Sequence, residues 1–327
     1  MRLGLSLPNR GVLFGAISVE EILKLSEIAD RTDVFDSVWV GDSLIAKPRL
    51  ESVAILSAIA ARTRRVRLGT ACMASFVYRN PIIFAIQWAS LDVISGGRTL
   101  FCGCMGASRG EGMGAAQKEV QALAFRAQDR VTRFEEGIEI VRRLWNEERV
   151  THRGAHFAFE DLTIEPRPLQ RPMPLWIAND PHLSKPELAR KQILRVVSLA
   201  DGWMTDGGPT PAVFADRWRL LAGCLRDAGR DPSTFPTAYH MMININDSQQ
   251  TAWNDGVSFL TKYYGTMADE FLRVWLAAGP AGYVADRIQE YVDAGCRVPV
   301  LRFAAWDAPV QIRRFLDGVY PRLRPRA

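Results

Sequence analysis

The chain has 327 residues, of which 48% are hydrophobic and 24% charged, so it can bury a sizeable core and shows no compositional sign of disorder. Its 41 lysines and arginines against 36 acids give a formal net charge of +5, but the basic residues, mostly arginine, are interleaved with acids along the chain. That distribution argues against a nucleic-acid partner, and no apolar stretch reaches the roughly 20 residues that a membrane helix requires.

Cysteine usage adds a compartment. Cys72, Cys102, Cys104, Cys224 and Cys296 are odd in number and lack framework spacing. The apolar run after Met1 is ended by Pro8, too soon for a secretion signal, so the expectation is a cytoplasmic protein with reduced thiols.

In chain order, "RLGLSL" reads as a first strand, and Ser18 with Glu21 as a capping box opening a helix. "DSVWVG" and "RVRLGT" follow as strands two and three. Asn80 before Pro81 is an N-cap with proline at the first helical position, and "PIIFAIQWASLDVI" is apolar on most faces, which predicts a deeply packed helix. "RTLFCG" is strand four. Val131, Phe134, Ile138, Val141 and Trp145 form one apolar stripe on a long helix. "PLWIAN" and "ADGWMT" are strands five and six. Thr210-Pro211 opens a helix carrying Phe214, Trp218, Leu221 and Leu225, which Gly229 closes. "AYHMMINI" and "VPVLRF" complete a set of eight, with Gly295 closing the last intervening helix. Eight strands with a helix after nearly every one predict a (β/α)8 TIM barrel forming one domain over 1–327, rather than an open doubly wound sheet. Residues 106–128, after strand four, and 149–172, before strand five, break the repeat. They read as insertions over the barrel mouth, the second a hairpin ending in prolines.

Several chemistries can be weighed against this frame. Gly110-x-Gly112-x-x-Ala115 resembles a dinucleotide turn, but strand four ends near Cys104, several residues too early, and a nicotinamide-only dehydrogenase would need a doubly wound sheet. Cys102 and Cys104 share a strand face without further ligands, and His152 and His156 lie in the hairpin, so no metal site is expected. His240 reads as a hydrogen-bonded core histidine facing either the barrel interior or the helices. The strand ends carry Asp42, Ser43, Cys104, Asn179, Thr205, Asp206 and Asp307 with no close carboxylate pair, and no lysine lies in a strand. They also carry Met73, Phe76, Met105, Trp176, Trp203, Met204 and Trp306, which together suit a slot for a planar ring. A flavin-type cofactor brings its own redox chemistry and asks the protein for a shaped, dry pocket, so missing acid–base dyads are no objection.

"SVWVGDSL", "RTRRVRLGTACMASFVYRNP", "LDVISGGRTLFCGCMG", "EPRPLQRPMPLWIAN", "LADGWMTDG" and "GPAGYVADRIQEYVDAGCRVPVLR" resemble, in order and over nearly the whole chain, the bacterial luciferase-like flavin and deazaflavin (F420) oxidoreductases. The resemblance implies a TIM barrel holding reduced FMN or coenzyme F420 at its C-terminal mouth. It implies monooxygenation of a small organic substrate, placed ahead of F420-dependent hydride transfer, with a non-catalytic flavin-binding relative as a further alternative. A flavin or F420 reductase would supply electrons, and the family suggests a homodimer. Asp42, Ser43 and Cys104 are the expected catalytic positions. Ala71, Cys72, Met73, Met105, Gly106, Asn179, His182, Ser184, Trp203 and Thr205 are expected around the cofactor. In deazaflavin members a non-prolyl cis peptide falls at Ala71-Cys72-Met73. For the cofactor phosphate, Ser184 and Glu187 would cap a helix whose N-terminus faces the anion. Many members carry histidine where this chain has Ser43, and "FCGCMG" replaces a glycine-valine-glycine pattern.

Overall fold

The computed structural model describes residues 2–106, 113–205 and 208–324. Its strands are β1 (Leu3–Leu7), β2 (Phe35–Val40), β3 (Arg67–Thr70), β4 (Thr99–Gly103), β5 (Val150–Arg153), β6 (Ala158–Leu162), β7 (Leu175–Ala178), β8 (Gly202–Thr205), β9 (Thr237–Ile245), β10 (Leu276–Gly279) and β11 (Val298–Phe303). The helices are α1 (Val19–Arg31), α2 (Ser52–Arg62), α3 (Pro81–Ser95), α4 (Met113–Ala122), α5 (Arg130–Asn146), α6 (Pro186–Leu199), α7 (Pro211–Asp227), α8 (Gln249–Tyr264), α9 (Asp269–Trp275), α10 (Ala281–Asp293) and α11 (Ala308–Arg314).

Parallel pairing runs β9-β11-β1-β2-β3-β4-β7-β8 and returns from β8 to β9, closing a (β/α)8 barrel from the eight strands expected. The dinucleotide reading fails on this point, because the sheet is closed; Gly110 and Gly112 themselves lie outside the described residues. β10 is additional. It pairs with the C-terminal half of β9, Met242–Ile245, while β8 holds the N-terminal half, so the long β9 serves two neighbours in succession. The sequence hides β10 because "LAAG" is short, alanine-rich and fused to the end of α9.

Local signals set the helix ends. The Ser18–Glu21 capping box forms at α1, and Asn80 accepts from the N–H groups of Ile82 and Ile83 at α3, with Pro81 at the first helical position. The hairpin β5–β6 docks on α5 through Glu136, which accepts from the backbone N–H of His156 and Phe157 and lies 3.1 Å from His152 Nε2. Both histidines are thereby occupied in the hairpin.

The core has two parts, divided by strand alternation. Outward residues meet the helices: Phe101 of β4 packs between Phe84 and Trp88 of α3 at ring separations of 5.0 and 5.4 Å. Inward residues fill the barrel: Trp39 and Trp176 lie 5.6 Å apart, above glycines at positions 4, 69 and 202 where a Cβ would collide with their rings. With that floor filled, the C-terminal ends of the strands are the face on which barrel chemistry is expected. Among the described residues, no helix is long and apolar enough to cross a membrane.

Candidate active site

One half of the mouth, at the ends of β3, β4, β7 and β8, is small and sulfur-rich. Ala71, Cys72, Cys102, Cys104, Ala178 and Met204 cluster above Trp39 and Trp176. The Ala71–Cys72 peptide is cis. Both residues face the barrel interior, whereas an unbroken strand would alternate. Cys72 then meets Cys104 on the adjoining strand end. Their Cα atoms are 5.9 Å apart and the two form a disulfide, which corrects the expectation of reduced thiols throughout. A spacing of 32 residues gave no hint of it, because the contact depends on neighbouring strands and on the parity break at position 72. Cys102, Cys224 and Cys296 are buried and lie outside this disulfide, and burial pushes the Cys296 thiol up to about 12.

The same parity break sends Met73 outward. It is fully buried in the outer core, bridged by its N–H to Cys102 O at 2.8 Å, and is not a wall of the mouth. Trp203 also points outward and packs on Phe214 of α7 at 5.3 Å. Thr205, two residues on and on the same strand face, donates to Asp180, which Arg217 of α7 also holds. Asn179 is drawn the same way: its Oδ1 accepts from Trp203 Nε1 at 2.8 Å and its amide donates to Gln192 O of α6. These four side chains brace the barrel against its helices.

Ser184 does not cap α6. The helix starts at Pro186 with Lys185 as its N-cap and no side-chain cap, because the residue before a proline is pushed out of helical geometry and Lys185 cannot occupy the first turn. His182 is exposed, its N–H bound to Gln192 Oε1. Asp42 is buried and consumed: it accepts from Ser52 Oγ at 2.8 Å and Ser75 N–H at 2.7 Å, with Arg79 at 3.4 Å. Ser43 accepts from the Lys47 N–H. Met105 O accepts from Arg130, and Gly106 has φ +68°, with room for a Cβ limited by Ala74 O. Asp206 lies outside the described residues.

The other half of the mouth, at the ends of β9, β11, β1 and β2, is polar and cationic. Arg302 is 1% exposed. It donates to Ser6 Oγ at 2.7 Å, Leu7 O at 3.1 Å and Tyr264 Oη at 2.8 Å, and lies over the Tyr263 ring. Tyr263 Oη in turn accepts from the Arg10 N–H. His240 Nε2 lies 3.1 Å from Ser6 Oγ, so this histidine faces the interior. Burial, followed by the charges of Arg302 and Arg49, drives its pKa well below the usual histidine range and keeps it neutral. Arg49 lies against Gly41, and a Cβ there would strike its guanidinium. Asn9, fully buried beside it, donates to Gly41 O, but its Oδ1 has no partner. Sequence reading missed this half. The available signal was the alternation Val298, Val300, Arg302, which puts an arginine on the inward face of an otherwise apolar strand.

The sulfur half presents small side chains to the interior: Ala71 and Ala178 stand at 9% and 7% exposure on the inner faces of their strands. The family model described as luciferase-like monooxygenase matches residues 1–297. The chain belongs to that family. Among luciferase-like relatives, an F420-dependent glucose-6-phosphate dehydrogenase of Nakamurella multipartita is 26% identical, covering 96% of this chain and 97% of its own. Monooxygenase RslO1 from Streptomyces bottropensis superposes with a TM-score of 0.80 at 23% identity, over 98% of this chain and 99% of its own. An F420-dependent secondary alcohol dehydrogenase, in complex with an F420-acetone adduct, gives 0.80 at 18% identity over 99% of both chains. Both superpositions share the barrel fold over nearly the whole chain.

Proposed function

We propose that this luciferase-like protein is an F420-dependent oxidoreductase that transfers hydride to or from a small organic substrate at the barrel mouth. The observation that carries the reading is the end-to-end match to an F420-dependent dehydrogenase in a chain whose strand ends carry the small side chains of Ala71, Cys72, Cys104 and Ala178. The deazaflavin supplies hydride transfer when bound, so the protein's task is to shape, orient and exclude water. Ala71, Cys72 and Cys104 would wall the ring on one side, and Gly106 permits close backbone approach at its edge. Trp39 and Trp176 below them keep the floor dry. Asp42 belongs to the support: by holding Ser75 N–H and Ser52 it fixes the β3 end that carries Ala71 and Cys72.

Monooxygenation with reduced FMN is the second reading, favoured by the description of the family whose model matches. Parallel anaerobic titrations with F420 and FMN separate the two. Saturable F420 binding, followed by substrate-dependent bleaching or recovery of the deazaflavin absorbance without oxygen, supports hydride transfer. Binding of FMN alone, with oxygen uptake on its reduction, replaces that reading with the second. Binding of neither removes both.

A further inference from the structure

The two halves of the mouth differ in a way that a ring pocket alone does not explain. The cationic half places Arg302 and Arg10 on one pair of adjacent tyrosines, Tyr263 and Tyr264, at the end of α8, with Arg49 near enough to act on Arg10 and His240. Lys47 lies 5.6 Å from the centre of the Tyr264 ring. Among the described residues, no carboxylate forms an ion pair with Arg302, Arg10 or Arg49. Burial and then the charge of Arg49 lower the Arg10 pKa, and the charges that act on His240 are Arg302 and Arg49. Arg79, by contrast, is neutralised by Asp42 and Glu51.

A guanidinium taken out of water without a counter-ion is costly, and folded proteins ordinarily meet that cost with a carboxylate. Here the donors are satisfied only by hydroxyls and a carbonyl, which compensate hydrogen bonding but not charge. His240 remains neutral, which leaves it an acceptor or donor without adding to the repulsion. Asn9 Oδ1 is a buried acceptor without a partner in the same place, suited to a hydroxyl or N–H of a molecule that also brings an oxyanion.

We propose that the substrate carries a carboxylate or phosphate group, held by Arg49 and Arg10 at the rim over the buried charge of Arg302, beside the small-residue sulfur half. Arg302 acts through its charge: its fork is fixed by Ser6, Leu7 and Tyr264, which holds an uncompensated positive centre beneath the rim. The assignment rests on the oxidoreductase reading for the word substrate, but the anion site stands or falls by itself.

The test uses inorganic phosphate as the probe, titrated calorimetrically into the full-length protein in chloride buffer, with F420 titrated separately by fluorescence. The variants are Arg302→Gln, Arg49→Gln and Arg10→Gln. The last two are half-exposed and leave the interior intact should the first fail to fold. One saturable phosphate per chain is expected, weakened about tenfold or more in Arg49→Gln and Arg302→Gln, with F420 affinity changed less than about twofold. Absence of saturable phosphate uptake by the wild-type protein, or equal affinity in all variants, overturns the site. Parallel loss of phosphate and F420 in Arg49→Gln overturns the substrate assignment and gives the anion to the cofactor. Phosphate binding without any F420 binding upholds the anion site while removing the reading in the preceding section.

Discussion

At the scale of single residues, Arg302 and His240 show how burial and charge select a protonation state. Arginine stays charged at any accessible pH, so the interior adapts by supplying Ser6, Leu7 and Tyr264 as acceptors. Histidine has the softer option of releasing its proton, and with burial and Arg302 acting together it does so. Its folded pKa lies below its unfolded value near ~6.5, so above that pH both states are neutral and the site contributes fully. As the pH falls below ~6.5 the unfolded chain takes up a proton that the folded chain refuses, and stability is lost down to the folded pKa. Denaturant melts between pH 7 and 5 are expected to show this uptake, and His240→Asn, which keeps a polar contact to Ser6, is expected to reduce the slope by up to one proton. An unchanged slope would mean that His240 is accessible to protons in the folded state.

At the scale of elements, buried acceptors do the joining that helix caps cannot. Asp92, at 0% exposure on α3, accepts from Thr99 Oγ1 at 2.7 Å, Leu169 N–H at 2.8 Å, and both the N–H and side-chain amide of Gln170. It therefore ties α3, β4 and the segment before β7 to one point. Asp92→Ala is expected to cost about 3 kcal/mol, because it strands several buried donors at once. Ser184→Ala serves as the contrast: the residue is exposed and caps nothing, so its stability change should stay within about 0.5 kcal/mol. Urea unfolding of both variants checks the pair, and a large loss in Ser184→Ala would restore the capping box that the sequence suggested. The capping box at Ser18 formed because Val19 follows it, free to enter the helix, whereas Pro186 moves the α6 start past Ser184.

At the scale of the whole molecule, barrel closure depends on large rings seated over missing side chains. Trp39 lies against Gly69, where a Cβ would fall 2.6 Å from its ring, and Trp176 lies against Gly202, where a Cβ would fall 2.4 Å from its ring. Since the two rings touch each other, β2 and β7, which β3 and β4 separate in the sheet, are coupled through them. Gly69→Ala and Gly202→Ala are each expected to destabilise by roughly 1–3 kcal/mol through overpacking. The double variant should depart from additivity by more than about 0.5 kcal/mol, because each ring must move into space that the other needs. Thermal or chemical melts of the three variants decide it, and strict additivity would show that the two rings relax independently.

What the sequence by itself determined is the order of elements: eight strands, the helices between them, the two insertions and most of the caps follow from apolar periodicity and from residues acting within a few positions of one another. The family motifs are equally local. The tertiary structure alone decided which strand-end residues face the mouth. Parity is lost at Ala71–Cys72, so Cys72 turns inward and Met73 outward, and no count along the chain reveals where alternation breaks. It also assembled the cationic half from residues as remote as Arg10 and Tyr263, 253 positions apart, and Ser6 and Arg302, 296 apart. Such partners meet only because the last strand closes against the first, and closure is a property of the folded chain that short-range pattern does not encode.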